Sequence, residues 1–167
     1  MMTKKNKRIG ALLIMGLVII SISSCSLSKK YEKEEEANIQ NYLIDNPSLN
    51  YEKKSSGLYY LDDVVGTGAQ VVPHDSVFVM YTGYYLSGTK FGTNVGTTDT
   101  LIFRAGEGIM IAGFDEAILY MKAGGKAKII CPSYLAYGTS GYGMPAYTTL
   151  LFDIYVVRLR PYSGSKK

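Results

Sequence analysis

VFVMYTGYYLSGTKF at residues 77–91 and YLAYGTSGYGMPAYTTLLFD at residues 134–153 are the stretches on which the fold turns. Each joins a run of β-branched and aromatic residues to a Gly-containing turn, the signature of strands linked by tight connections. Each also places Tyr or Phe where acid, base or nucleophilic chemistry would need other side chains. The candidate site is therefore an apolar pocket with a few polar groups at its edge. With one His in the chain, no Cys-His or Ser-His-Asp set is evident.

Outward from these stretches, from Gly57 onward, short strand-like runs recur at residues 58–61, 76–82, 84–86, 100–103, 126–131 and 149–159. Gly66-Thr67-Gly68, Pro73 and Ser87-Gly88 separate them. In the last run Leu150, Phe152, Ile154 and Val156 face one way and Leu151, Tyr155 and Val157 the other, which predicts a central strand covered on both faces. GFDEAILYMKAGG breaks the rhythm: Phe114, Ala117, Ile118 and Met121 recur at helical spacing, and Gly124-Gly125 ends the pattern. Asp115 and Glu116, adjacent in its first turn, do not face each other and are expected to complement the helix dipole rather than form an acid pair. His74, between Pro73 and Asp75, is expected in a loop, and Cys131 as a buried apolar strand residue. No cofactor and no metal set is expected. Gly124-Gly125-Lys126 runs on into Ala127, so it is not a phosphate loop.

The N-terminus has a separate logic. Lys4, Lys5, Lys7 and Arg8 precede an apolar run at residues 9–20 and a small-residue exit at Ile22-Ser23-Ser24-Cys25, the layout of a secretory signal. The apolar run is short against the ~20 residues of a spanning helix. The exit resembles the lipobox of bacterial lipoproteins, which implies cleavage before Cys25 and lipidation of that residue. Without the four basic residues of the signal, the 18 cationic side chains fall to 14 against 14 acidic ones, and the +4 charge disappears. No basic face for nucleic acid is expected. SLSKKYEKEEE at residues 26–36 predicts a solvated tether. Ile39, Tyr42 and Leu43, stopped by Pro47, predict a short amphipathic helix after it.

The order strand, YTG, hairpin, Lys90-Phe91, strand, Ile111-Ala112-Gly113-Phe114 opening a helix, LAYG, and a closing LLFD strand resembles the FKBP-type peptidyl-prolyl isomerases over residues 57–160. The resemblance implies an α+β fold: an antiparallel sheet of about five strands wrapped around one short helix, here preceded by a short N-terminal helix. With the N-terminal reading, it divides the chain into a lipoprotein signal (1–24), a segment with lipidated Cys25, tether and helix (25–56), the isomerase domain (57–160) and a polar tail (161–167). It implies that Tyr81, Phe91, Ile111, Tyr137 and Phe152 carry catalysis. Met110, Phe114, Leu101, Met144 and Tyr147 would bind substrate, the last two from an overhanging loop. In the family the backbone N–H at Ile111 and the hydroxyl at Tyr137 bind carbonyl groups. Gly92 departs from the pattern, because an Asp commonly follows the hairpin Phe; Phe114 stands where Trp is usual and Leu101 where an aromatic is frequent.

Such a site suits a reaction that makes no bond. Rotation about a peptide bond meets a barrier of ~18–20 kcal/mol, while the two Xaa-Pro isomers differ by ~0.5–1 kcal/mol. A dry pocket that holds the twisted imide better than the planar one lowers that barrier without a general base. The expected protein is an isomerase exported to a bacterial membrane, outer membrane on its periplasmic or surface side. Its expected partners are proline-containing segments, with macrolides as further ligands. The alternative, suggested by Gly92, is a weakly active or inactive binding or chaperone module on the same membrane.

Overall fold

Residues 28–164 are described by a computed structural model; the expected signal, Cys25 and the last three residues lie outside them. The all-apolar alternation of the closing run does make the middle of the sheet. This strand, β7 (Leu150–Arg160), lies between β3 (Ser76–Tyr85) and β6 (Lys126–Cys131). Beyond β6 come β2 (Tyr59–Val64) and the two-residue β1 (Glu52–Lys53). The free edge of β3 is shared, with β5 (Leu101–Arg104) on its first half and β4 (Lys90–Thr93) on its second. All pairings are antiparallel, in one sheet of seven strands rather than about five. Both extra strands, β1 and β4, are edge pieces of two and four residues. Two residues are too few for an alternation to show, and in β4 the glycine at position 92 interrupts one. The runs at 76–82 and 84–86 form one strand, because Gly83 continues the ladder opposite Phe152.

Among the described residues, two α-helices cover the two faces. Helix α2 (Ala112–Tyr120) buries Phe114, Ala117 and Ile118 against the inward residues Val77, Val79, Ile129, Leu150, Phe152, Ile154 and Val156. On the opposite face Ile39, fully buried, packs with Tyr59, Ile130 and Leu151. Ile39 belongs to α1, helical over residues 28–45. The expected amphipathic helix is thus present, but it begins inside the stretch expected to be a solvated tether. The charged composition hid this because its exposed residues are on one side, while Glu35 on the other is buried by partners far away in sequence. The tail is partly held: the Tyr162 N–H donates to Asp75 Oδ1 at 2.9 Å, and the Arg104 guanidinium lies over the Tyr162 ring.

The Ala112-Gly113-Phe114 opening of α2 has a packing reason. A Cβ at Gly113 would fall inside the van der Waals sphere of the buried Cys131 Sγ and press on Leu135 and Leu58. Glycine therefore sets how near α2 approaches β6. Gly113→Ala is expected to destabilise by about 1–3 kcal/mol, because overpacking outweighs the helix-propensity gain of up to ~1 kcal/mol. Adding Cys131→Ala opens the contested space, so urea unfolding should show the double variant losing less than the sum of the two single losses.

Candidate functional site

Phe114 is the ring on which the inner face converges. It meets Phe152 edge-on with centroids 5.3 Å apart, Tyr81 edge-on at 6.0 Å and Phe103 at 6.1 Å. Phe91 stands perpendicular to Phe152 at 5.7 Å, and Tyr81 lies 6.3 Å from Phe152. These edge-to-face contacts match the quadrupoles of the rings and fix their relative tilt. Phe114 and Phe152 are buried, whereas Tyr81 and Phe91 are half-buried and form the walls. Leu101, Met110, Ile111, Tyr137 and Met144, all half-buried, pack against the same cluster. Nine of the ten expected pocket residues are thereby brought to one apolar cluster.

Backbone details explain how this sequence places them. A Cβ at Gly83 would collide with the Phe91 ring, so the glycine of the YTG motif lets that ring lie on the β3 backbone. Between its pairings with β5 and β4, strand β3 leaves Met80 and Tyr81 without a ladder partner on that edge. Asn94 fills the gap: its Oδ1 accepts from the Tyr81 N–H at 2.7 Å and its Nδ2 donates to the Val79 carbonyl at 3.0 Å. A side-chain amide here substitutes for a strand. Nothing in the sequence around Asn94 distinguishes it from an ordinary turn residue.

Two residues packed against this cluster, Ile111 and Tyr137, also carry polar groups. Ile111 caps α2, and its carbonyl accepts from the Phe114 and Asp115 N–H groups at 3.0 Å each. Its own N–H precedes the first turn, where helix geometry supplies no carbonyl. The Tyr137 phenol is pushed above its usual pKa, mainly by burial and further by the neighbouring Tyr81 and Tyr142. It therefore stays protonated and able to donate. Tyr142 stacks on it with ring centroids 5.6 Å apart.

Asp115 lies in the first turn of α2, as expected, and has a second role there. Its carboxylate accepts from the N–H groups of Gly106 and Gly108, at 2.8 and 2.9 Å, and so holds the loop that leads to Met110. Glu116 accepts from the hydroxyls of Ser56 and Tyr120. His74 is a loop residue with φ of 74°, beside Glu107 at 3.1 Å.

Tyr147 is the exception. It stacks on Tyr31 of α1, with centroids 4.7 Å apart and planes within 15°, and is not part of the aromatic cluster. Its backbone is left-handed, with φ of 58°, which directs the ring differently from an extended residue. It lines a cavity of about 500 Å³ between α1 and the loop, together with Glu32, Ile39 and Tyr134. None of that cavity's lining residues belongs to the aromatic cluster. Among the described residues, no group of three or more His, Cys, Asp or Glu is placed to hold a metal, and no helix is long and apolar enough to cross a membrane.

A family model described as FKBP-type peptidyl-prolyl cis-trans isomerase matches residues 68–157. The FK506-binding protein of Neisseria meningitidis serogroup B is 35% identical over 105 residues, 62% of this chain and 96% of that protein. FKBP-type peptidyl-prolyl cis-trans isomerase FkpA of Aeromonas hydrophila is 35% identical over 128 residues, 75% of this chain and 47% of its own. The chain thus spans about half the length of that relative. The crystal structure of FkpA from Escherichia coli superposes with a TM-score of 0.69 at 27% identity, covering 96% of this chain and 74% of that one.

Position 92 can be tested within this geometry. A Cβ there would stand 3.9 Å from the Tyr81 hydroxyl, and Gly92 is not left-handed, so a side chain fits without strain. Gly92→Asp is expected to accept a hydrogen bond from Tyr81. The new carboxyl should titrate below the ordinary ~3.9 in a 13C-detected experiment. A depressed folded-state pKa contributes stability above that ordinary value and loses it as pH falls through the lowered one. An ordinary titration would show that the hydroxyl does not reach.

Proposed function

The chain belongs to the FKBP-type peptidyl-prolyl cis-trans isomerase family, and from that premise we propose how this hollow turns an Xaa-Pro bond and where the enzyme works. The protein is a peptidyl-prolyl isomerase that assists protein folding; the reading as an inactive binding module is not favoured by relatives named as isomerases. The proline ring enters between Tyr81, Phe91 and Phe152 and rests on Phe114. The Ile111 N–H and the Tyr137 hydroxyl engage carbonyl groups flanking the imide and fix its ends. Loss of resonance leaves the twisted carbonyl less polarised than the planar one. Exclusion of water by the rings then costs the twisted state less, and the barrier falls. The observation that supports this reading is the convergence of four rings on one cluster, with Ile111 and Tyr137 packed against it.

The same pocket is read as taking macrolides, as the name FK506-binding protein says of the Neisseria relative. The basic start, apolar run and Ile22-Ser23-Ser24-Cys25 exit support an exported enzyme anchored through a lipid on Cys25, acting on proline-containing segments of exported proteins outside the inner membrane. Cys25→Ser should abolish incorporation of labelled fatty acid and release the protein from the membrane fraction. Retention of the label in that variant would remove the assignment.

Exchange NMR on Xaa-Pro peptides tests the chemistry. Catalysed exchange should be independent of pH from roughly 6 to 9, because no group proposed to touch substrate changes charge there. Activity should fall only as the Tyr137 hydroxyl, raised by burial, loses its proton at higher pH. Tyr137→Phe should reduce kcat/KM by about 2- to 10-fold, the worth of one neutral hydrogen bond. A bell-shaped profile centred near neutrality would point instead to acid–base chemistry.

A further inference from the structure

The loop that carries Tyr137, Met144 and Tyr147 is held at both ends by one carboxylate from outside the isomerase domain. Glu35, on α1, is only 6% exposed. Its Oε1 accepts from the Ser133 N–H at 2.6 Å and from the Thr149 hydroxyl at 2.6 Å, while Oε2 accepts from the Ser133 hydroxyl at 2.8 Å. Ser133 and Thr149 are themselves buried and bracket the loop. Four residues earlier, one helical turn away, Tyr31 stacks on Tyr147. Loop and helix are therefore joined at three places: the loop's entry, its exit and the ring beside that exit.

We propose that α1 is a clamp on the catalytic loop, with Glu35 as a positioning residue and Tyr31 as its aid, so that the N-terminal segment sets substrate affinity at a pocket it does not touch. This inference rests on the isomerase reading of the pocket. Inside the loop, the hydrogen bonds are short-range ones: the Tyr147 N–H to the Gly138 carbonyl, the Met144 N–H to Gly141, and the Ser140 hydroxyl to Tyr137. Gly138, Gly141, Tyr142, Gly143 and Tyr147 all have positive φ. Two of these are tyrosines, for which that region is unfavourable by roughly 1–2 kcal/mol each. A loop of this kind does not hold its shape by local preference. The buried carboxylate, with three donors, supplies the missing constraint, since losing any partner leaves a desolvated group unpaired.

The consequence is specific to binding. When only a fraction of molecules hold the loop in its competent form, apparent affinity falls by that fraction, while the bound complex turns over as before. Glu35→Ala in the full chain is expected to raise KM for an Xaa-Pro peptide about tenfold and to change kcat less than twofold. The amides of Gly138 and Tyr147 should exchange with deuterium at least tenfold faster, with those of β3 and β7 unaffected. Glu35→Gln keeps Oε1 as acceptor for the Ser133 N–H and the Thr149 hydroxyl and can donate from Nε2 to the Ser133 hydroxyl oxygen, so it should recover most of the affinity. Tyr31→Ala, at an exposed position that cannot unfold the domain, should raise KM about two- to threefold and loosen only the Tyr147 end. Unchanged KM and unchanged loop exchange in Glu35→Ala and Tyr31→Ala, with a lowered Tm alone, would reduce α1 to a structural support and overturn the proposal. Should the wild-type chain fail to accelerate exchange of any peptide, the isomerase reading fails. Loop deuterium exchange and peptide affinity in the same variants still decide the clamp.

Discussion

The contact of Phe114 with Phe152 is the constraint on which the site depends. One ring comes from the first turn of α2 and the other from the central strand, so their edge-on contact fixes the helix over the sheet. Gly113 allows the approach and Phe114 completes it, in adjacent positions. Tyr81 and Phe103 then pack on the free sides of Phe114, and Phe91 stands on Phe152. Because interiors are close-packed, displacing this pair would shift every wall of the hollow together. The floor is therefore rigid, and what freedom the site has belongs to its rim.

Period decides how much of this architecture is legible in sequence. β3, β6, β7 and α2 are long enough for alternation or helical spacing to appear, and the faces of β7 and α2 follow from it. β1 is too short to carry a period and Gly92 interrupts that of β4, which is why the strand count rises from about five to seven. The first half of α1 fails for another reason. Its side chains are mostly charged, and the one that decides its packing, Glu35, is chemically indistinguishable from Glu34 and Glu36. Only donors 98 and 114 residues away single it out.

The site divides in the same way. Residues on strands and at the head of α2 inherit their direction from regular backbone, so motif order is enough to bring Tyr81, Phe91, Phe114 and Phe152 together. Tyr147 sits in a loop of left-handed residues, where sequence position says little about where a ring points. Asn94 is a related case. Its role follows from a two-residue break between the β5 and β4 ladders, which exists only once both strands are paired.

On the proposed reading, a site of this composition works by subtraction. Each neutral donor, the Tyr137 hydroxyl and the Ile111 N–H, is worth about 0.5–1.5 kcal/mol, small against a rotational barrier of ~18–20 kcal/mol. Such groups align the chain but cannot supply most of an acceleration. The larger contribution has to come from the medium: a planar imide is the more polar state, and burying it against Phe114, Phe152, Tyr81 and Phe91 removes the water that favours it. A full carboxylate at the edge would strengthen orientation and at the same time bring hydration with it. Gly92 leaves that edge apolar and open beside the Tyr81 hydroxyl. In this chain, then, alignment rests more heavily on the loop that carries Tyr137, and the hold that α1 has on that loop matters correspondingly more.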